Sequence, residues 1–391
     1  MRILYFNNGS GLGKAKSGGS TRFIEIAKRL QQKDVIITVV ATSGSINLFN
    51  AENFRANFIK VKSSFFAKRE RSNFGRFWSY ILSTVHSIII SYRLPVCDVV
   101  YSPSDYYCDV VPSIYYKIRN GRTKYISMVH HLCRLPSQRK GNYLVNVISY
   151  YGQKISHKLI AKFSDHVLVY NTPEGMKIGK YFKSKGVSKI SLIANGIDYE
   201  NINNINKSNK GRKFDACFVG GLRGSKGIYD LIPIWKLVVE RIPNAKIAII
   251  GAGTNSVTKK LTNKITDAGM DGNIQLLGML SGQNLYKKMK NCTLFLSTSH
   301  EEGWGISVCE AMACGLPVIA FRLPAFSYLQ GYISEVDQYK YEKFSLKVIE
   351  ILNDTHMLDK FSACGKEFIK KYDWDKISDT EYEIIVGTVN A

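Results

Sequence analysis

Apolar positions along this chain come in short unbroken runs, separated by longer segments in which they recur every three or four residues. The runs at 2–6, 35–41, 53–62, 96–101, 125–129, 165–169 and 191–193 predict parallel strands buried on both faces. Helical spacing predicts helices from about 21 to 31, over 77–92 and over 144–161, and Asn171-Thr172-Pro173-Glu174 opens another. The alternation returns in the second half, with strands at 214–219, 245–250, 274–278, 294–296 and 317–321. Helices follow from about 228, over 285–289 and over 306–314, with surface helices at 343–352 and 358–371. Strand–helix alternation in both halves predicts an α/β chain of two Rossmann-like, doubly wound domains. The polar stretch 201–212 reads as the linker, which gives an N-terminal domain over 1–198, a C-terminal domain over 199–374 and a last helix from about 375 to 391.

Three places within this pattern carry candidate chemistry. The first is 294–321, LFLSTSHEEGWGISVCEAMACGLPVIAF, which reads as strand, loop, helix, strand. Gly315 stands where a helix end favours a left-handed residue, and Pro317 stops continuation. Glu302 falls in the loop and Glu310 in the helix, with seven residues between. Gly303 and Gly305 flank Trp304 and allow close backbone approach at a helix N-terminus, a natural anion site. A loop carboxylate there suits sugar hydroxyls, and one further down the helix suits a ribose diol. The plain reading of the same spacing is two solvated acids on a surface helix.

The second place is glycine-rich. Gly9, Gly11 and Gly13, then Gly18 and Gly19, lie between the first strand and its helix, a layout that cradles phosphate. Gly220-Gly221-Leu222-Arg223-Gly224-Ser225-Lys226-Gly227 repeats it after the first strand of the second half and adds two cations. The third place is His130-His131, closing the strand 125–129. With Cys133 the pair suggests metal ligands, yet no fourth ligand stands at useful spacing, and no metal site is expected.

Composition narrows the partners. The chain has 391 residues, 45% of them hydrophobic and 22% charged, as globular domains do. The eight cysteines form no C-x-x-C pair, which points to a reduced cytosolic protein. No signal peptide is visible, and the apolar-rich stretch 77–92 is short and interrupted by serines, so no spanning helix is expected. Net charge is +23 and uneven: residues 1–200 hold 30 Lys/Arg against 11 Asp/Glu. Such an excess favours an anionic partner for the first half. Between Lys60 and Trp78 six cations (Lys60, Lys62, Lys68, Arg69, Arg71, Arg76) stand among aromatics, which predicts peripheral contact with an anionic membrane surface on its cytoplasmic face.

The run EEGWGISVCEAMACGLPVIAF resembles the E-x7-E signature of retaining GT-B-fold glycosyltransferases of family four, the glycosyl transferases group 1. Asn195-Gly196-Ile197-Asp198 resembles the tetrapeptide that ends the first domain in that family, and Lys226-Gly227 matches its G-R-L-x-x-x-K-G pattern, with Gly221 in place of the arginine. The resemblance implies a GT-B fold, two Rossmann-like domains facing a cleft, and a metal-independent enzyme without cofactor that takes a nucleotide-sugar as substrate. It implies that Glu302 contacts the donor sugar, Glu310 the ribose, Lys226 the diphosphate, and Gly278 and Met279 the base. It places Gly18 and Gly19 against the diphosphate and acceptor, and makes His130 the cleft histidine, with His131 its competitor. Arg223 is the candidate to replace the absent arginine. The implied acceptor is a lipid-linked or cell-surface glycan precursor. Two rival readings stand beside this one: an epimerase of the same fold, which would need further acids and histidines, and a basic nucleic-acid binder. No nucleic-acid motif is present, so no such partner is expected.

Overall fold

The computed structural model describes residues 1–9, 17–62, 73–139, 143–206 and 213–391. The chain forms two compact units. The first comprises Met1–Asn195 together with Trp374–Ala391, and the second Gly196–Asp373.

The first unit is built on strands β1 (Arg2–Asn7), β2 (Ile36–Thr42), β3 (Asn57–Val61), β4 (Val99–Ser102), β5 (Lys124–Val129), β6 (His166–Tyr170) and β7 (Lys189–Ile193). All pair in parallel, in the order β3-β2-β1-β4-β5-β6-β7. The second unit has β8 (Phe214–Val219), β9 (Ile247–Ile250), β10 (Ile274–Gly278), β11 (Cys292–Ser297), β12 (Val318–Phe321) and β13 (Ser334–Val336), parallel in the order β10-β9-β8-β11-β12-β13. The winding reverses between β1 and β4 in one sheet and between β8 and β11 in the other. Open α/β sheets bind ligands outside the strand carboxyl ends at such a point.

The apolar runs become strands because both sheet faces are covered: β4, β6, β9, β11 and β12 are buried at every position. Boundaries move by a few residues. The first helix starts at Gly18, earlier than the periodicity predicts, because the Ser17 hydroxyl accepts the Ser20 N–H at 3.1 Å and caps it. Three helices, Ser43–Ala51, Tyr107–Arg119 and Tyr199–Asn204, lie where no helix was expected, the last running into the stretch read as linker. The second of these contains Pro112, which reads as a breaker. Proline lacks the N–H that would bond the carbonyl of Cys108, and the Asn8 side chain takes that carbonyl instead, at 2.9 Å.

The helix Trp374–Val389 packs within the first unit. Its Glu381 is buried, paired with Arg22 of the helix Gly18–Gln31, and accepts the Tyr101 hydroxyl at 2.8 Å. Asp373 and Asp375, which form an Asp-x-Asp in sequence, sit at this helix start: Asp373 accepts the Tyr199 N–H, and Asp375 pairs with Arg29.

Candidate active site

In the second unit, the turn after β8 and the loop after β11 lie side by side at the switch point. Gly227 takes φ +65°, and a Cβ there would stand 1.8 Å from the Thr298 carbonyl oxygen, so only glycine allows this approach. The Thr298 hydroxyl donates to the Gly227 carbonyl at 2.9 Å, and the His300 N–H to the Ser225 carbonyl at 2.9 Å. Asp230 closes the contact. Its carboxylate holds His300 Nε2 at 2.6 Å and accepts the Tyr341 hydroxyl at 2.6 Å.

This packing brings Lys226 and Glu302 together. Lys226 Nζ lies 2.5 Å from Glu302 Oε1, and the Ser299 hydroxyl donates to the same oxygen at 2.8 Å. Both charged side chains are mostly buried. Gly305 caps the helix Ile306–Ala313 with φ +97°, and a Cβ on it would meet the Phe326 ring at 2.5 Å. Gly303 lies between Glu302 and Trp304, half-buried. The Trp304 indole is buried and stacks on Tyr328 at 4.1 Å, while the Tyr328 hydroxyl donates to the Trp304 carbonyl at 3.0 Å. Trp304 therefore fixes the loop. Tyr328 comes from the short 3-10 helix Pro324–Leu329.

Eight residues beyond Glu302, Glu310 accepts the Tyr286 hydroxyl at 2.8 Å from the helix Gly282–Lys290. Burial, and then the Glu310 charge, push the Tyr286 phenol far above its ordinary value, so it stays a donor. Arg223 is exposed, and its Nε lies 3.9 Å from where a Cβ on Gly221 would be. Its side chain thus passes over the residue that replaces the family arginine. Gly278 ends β10 with φ +69°, its carbonyl accepting the Gly251 N–H at 2.8 Å, and Met279 after it is exposed.

The first unit presents its own group. His130 ends β5 and lies against the first helix: a Cβ on Gly19 would stand 3.3 Å from His130 Nε2. Gly18 opens that helix and is exposed. His130 Nε2 lies 2.8 Å from the Pro103 carbonyl and Nδ1 2.9 Å from the Tyr170 hydroxyl. Burial lowers the ring to about 4, which keeps it neutral at ordinary pH. His131 is exposed, and its carbonyl accepts from Gln153. Asp109 accepts the N–H groups of Asn8 (2.6 Å) and Gly9 (3.1 Å), anchoring the loop that leaves β1. The glycines at 11 and 13 lie outside the described residues.

Asp230, Tyr286, Ser299 and Tyr328 carry no sequence signal that would single them out. Each reaches its partner through the fold. His300 directly precedes the two acids and was passed over, although its place between a strand end and Glu302 was the available signal.

Residues 199–368 match the family described as glycosyl transferases group 1. The second unit is a glycosyl transferases group 1 domain. The chain resembles the poly(glycerol-phosphate) alpha-glucosyltransferase of Bacillus subtilis, 29% identical over 166 residues, which is 41% of this chain and 24% of that one. It also resembles the GDP-mannose:cellobiosyl-diphosphopolyprenol alpha-mannosyltransferase of Xanthomonas oryzae, 24% identical over 195 residues, 49% of this chain and 50% of that one. The chain thus spans about a quarter and a half of the lengths of these two curated relatives. Anabaena HepE, solved with UDP-glucose, superposes with a TM-score of 0.75 over 99% of this chain and 100% of that one, at 16% identity. That likeness gives the fold, which is GT-B.

Proposed function

We propose that this protein transfers a sugar from a nucleotide-sugar donor to an acceptor hydroxyl with retention of anomeric configuration. The pairing of Lys226 with Glu302 at the switch point of a group 1 domain carries the reading. Lys226, with Arg223 beside it, holds the donor diphosphate and stabilises the charge that builds on it as the sugar leaves. Glu302 takes sugar hydroxyls and Glu310 the ribose. Gly278 and Met279 border the base, and the backbone of Gly303–Gly305 approaches the diphosphate. Gly18 and Gly19 lie against the donor diphosphate and the acceptor, and His130 is the cleft histidine that meets the donor sugar or donates a hydrogen bond. The acceptor hydroxyl attacks from the face the leaving group departs, and the departing phosphate oxygen takes its proton. Metal-independence follows from these cations doing a metal's work.

The acceptor proposed is a lipid-linked or glycan precursor, with the protein held peripherally on the cytoplasmic face of the membrane. The charge of residues 1–200 and the identity of the Xanthomonas relative's acceptor support this. Among the described residues no helix is long and apolar enough to cross a membrane. Of the basic segment, residues 63–72 lie outside those described.

A thermal-shift screen of nucleotide sugars tests the reading. A donor at about a hundred times its dissociation constant should add roughly 2.7 kcal/mol of stability. No shift with any UDP-, GDP- or TDP-sugar would count against it.

A further inference from the structure

Two helices of the first unit are built inside out. On the helix Asn73–Ser91, Ser79, Ser83, Ser87 and Ser91 recur every fourth residue and are buried, Ser87 completely. The opposite line of the same helix, Trp78, Leu82, Val85 and Ile89, is exposed, Ile89 to 55%. A helix of a water-soluble domain does the reverse. The buried hydroxyls find partners: Ser83 and Thr84 donate to the Tyr80 carbonyl within the helix, and Ser87 accepts from Asn8 at 3.0 Å. The helix Tyr143–Phe163 repeats the inversion. Asn146, Ser156 and His157 face inward with the core residue Ile160, and Leu144, Ile148, Tyr151 and Ile155 form one exposed line, Leu144 to 69%. That line continues into Lys158 and Lys162, also exposed. Both helices pack on the helix Tyr107–Arg119, so their outward lines belong to one layer.

We propose that this layer is a docking surface for an anionic lipid interface, the apolar lines entering the acyl boundary and the lysines meeting headgroups. Charge decides the occupant. Residues 73–96 and 132–164 contain no Asp or Glu, while their described side chains include six Lys/Arg: Arg93, Arg134, Arg139, Lys154, Lys158 and Lys162. A second copy would set cation against cation, whereas an anionic bilayer complements both the apolar lines and the charge. The surface is tied to the candidate acceptor side, because Asn8, which bonds Ser87, continues β1 toward the glycine loop. The proposal deepens the membrane reading above and does not depend on the transferase reading, since lipid binding is measured without donor.

The test uses the full chain with vesicles of phosphatidylcholine alone or with phosphatidylglycerol. Of the four tryptophans, Trp235, Trp304 and Trp374 are buried, and Trp78 is the exposed one. Vesicles containing phosphatidylglycerol and brominated acyl chains should quench and blue-shift its emission, and Trp78→Phe should abolish that response. The variant Ile148→Ser/Tyr151→Ser/Ile155→Ser, whose unchanged melting temperature shows that it folds, should lose about tenfold in vesicle affinity. Lys158→Ser/Lys162→Ser should bind less and lose part of the salt dependence. The proposal is overturned if the protein stays in the supernatant with phosphatidylglycerol vesicles at low salt. Binding undiminished in the triple-serine variant, binding without quenching of Trp78, or a dimer in solution that the triple-serine variant dissolves would overturn it equally.

Discussion

Glu302 Oε1 accepts Lys226 Nζ at 2.5 Å, so the acid proposed for the sugar and the cation proposed for the diphosphate neutralise each other in the free protein. On the reading proposed above, a donor diphosphate competes with Glu302 for Lys226, and the carboxylate so relieved is available to the sugar. Binding therefore exchanges one charge-assisted bond for two. Glu302→Gln should remove the competitor for Lys226, so that free UDP or GDP binds more tightly, by about 1 kcal/mol or roughly fivefold. Transfer should fall at the same time, because the sugar loses its anchor. Calorimetry of the free diphosphate beside turnover of the donor separates the two effects; weaker diphosphate binding in the variant would sink the exchange.

Lys226→Ala should depress turnover more than nucleoside binding. Its charge meets a diphosphate whose negative charge grows only as the glycosidic bond opens, and groups of this kind contribute about 2.7–4 kcal/mol to the barrier. Arg223→Ala, measured in parallel, decides whether the side chain lying over Gly221 does the work of the absent arginine. A silent Arg223→Ala would mean that this site runs with one diphosphate cation fewer.

Glu310→Ala should weaken donor binding by about 1.5–3 kcal/mol through loss of a charge-assisted bond to the ribose. Tyr286 adds a graded control, since its hydroxyl donates to Glu310 Oε1 at 2.8 Å. Tyr286→Phe keeps the ring and should cost about 0.5–1.5 kcal/mol, all of it in donor KM. An effect of Tyr286→Phe that persists in the Glu310→Ala background would show that the tyrosine does not act through the glutamate.

The contrast between Glu310 and Tyr286 also marks what was legible in the sequence. Lys226 and Glu302 lie in turns, and Glu310 in the helix that the second turn opens, with glycines and acids spaced by local geometry, and local geometry is written in local sequence. Tyr286 meets Glu310, and Asp230 meets His300, only after separate βα units are laid side by side, and no short pattern encodes that. The central parallel strands β4, β6, β9, β11 and β12 were readable because each is buried on both faces. The helix over 73–91 shows the limit: its spacing divides serines from large apolar residues correctly, but period alone does not say which line faces out. Pro112 hid the helix Tyr107–Arg119 because the replacement partner of the freed Cys108 carbonyl is Asn8, a hundred residues away.

EDTA should leave activity intact. A divalent ion in a nucleotide-sugar enzyme serves to carry the diphosphate charge, and Lys226 and Arg223 occupy that role in the proposed site. The Asp373 and Asp375 pair is committed elsewhere, to the Tyr199 N–H and to Arg29. Activity lost on chelation and restored by magnesium or manganese would refute a mechanism resting on protein cations.

His130 allows a test that needs no substrate. Its Nε2 faces the Pro103 carbonyl, which only accepts, so Nε2 carries the proton and Nδ1 accepts from the Tyr170 hydroxyl. Asn195 Nδ2 in turn donates to Tyr170 at 3.1 Å, so the chain of donors runs in one direction. Burial disfavours the charged ring, which is why the group is lowered to about 4 from an ordinary 6.5. The sign follows from linkage. Above about pH 6.5 the ring is neutral folded and unfolded, and contributes no pH dependence. Between about 6.5 and 4 only the unfolded chain takes up the proton, so this histidine lowers stability as pH falls through that window, and below about 4 its contribution is constant. The His130 Cε1–H resonance should stay flat from pH 8 to about 5, with the nitrogen shifts of an Nε2–H tautomer. His130→Gln should lower transfer yet leave the shape of its pH profile between 6 and 8 unchanged, because a ring neutral across that range orients a hydroxyl and supplies no titrating proton. An inflection of the resonance near 6.5 would mean that the ring is solvated and the network absent.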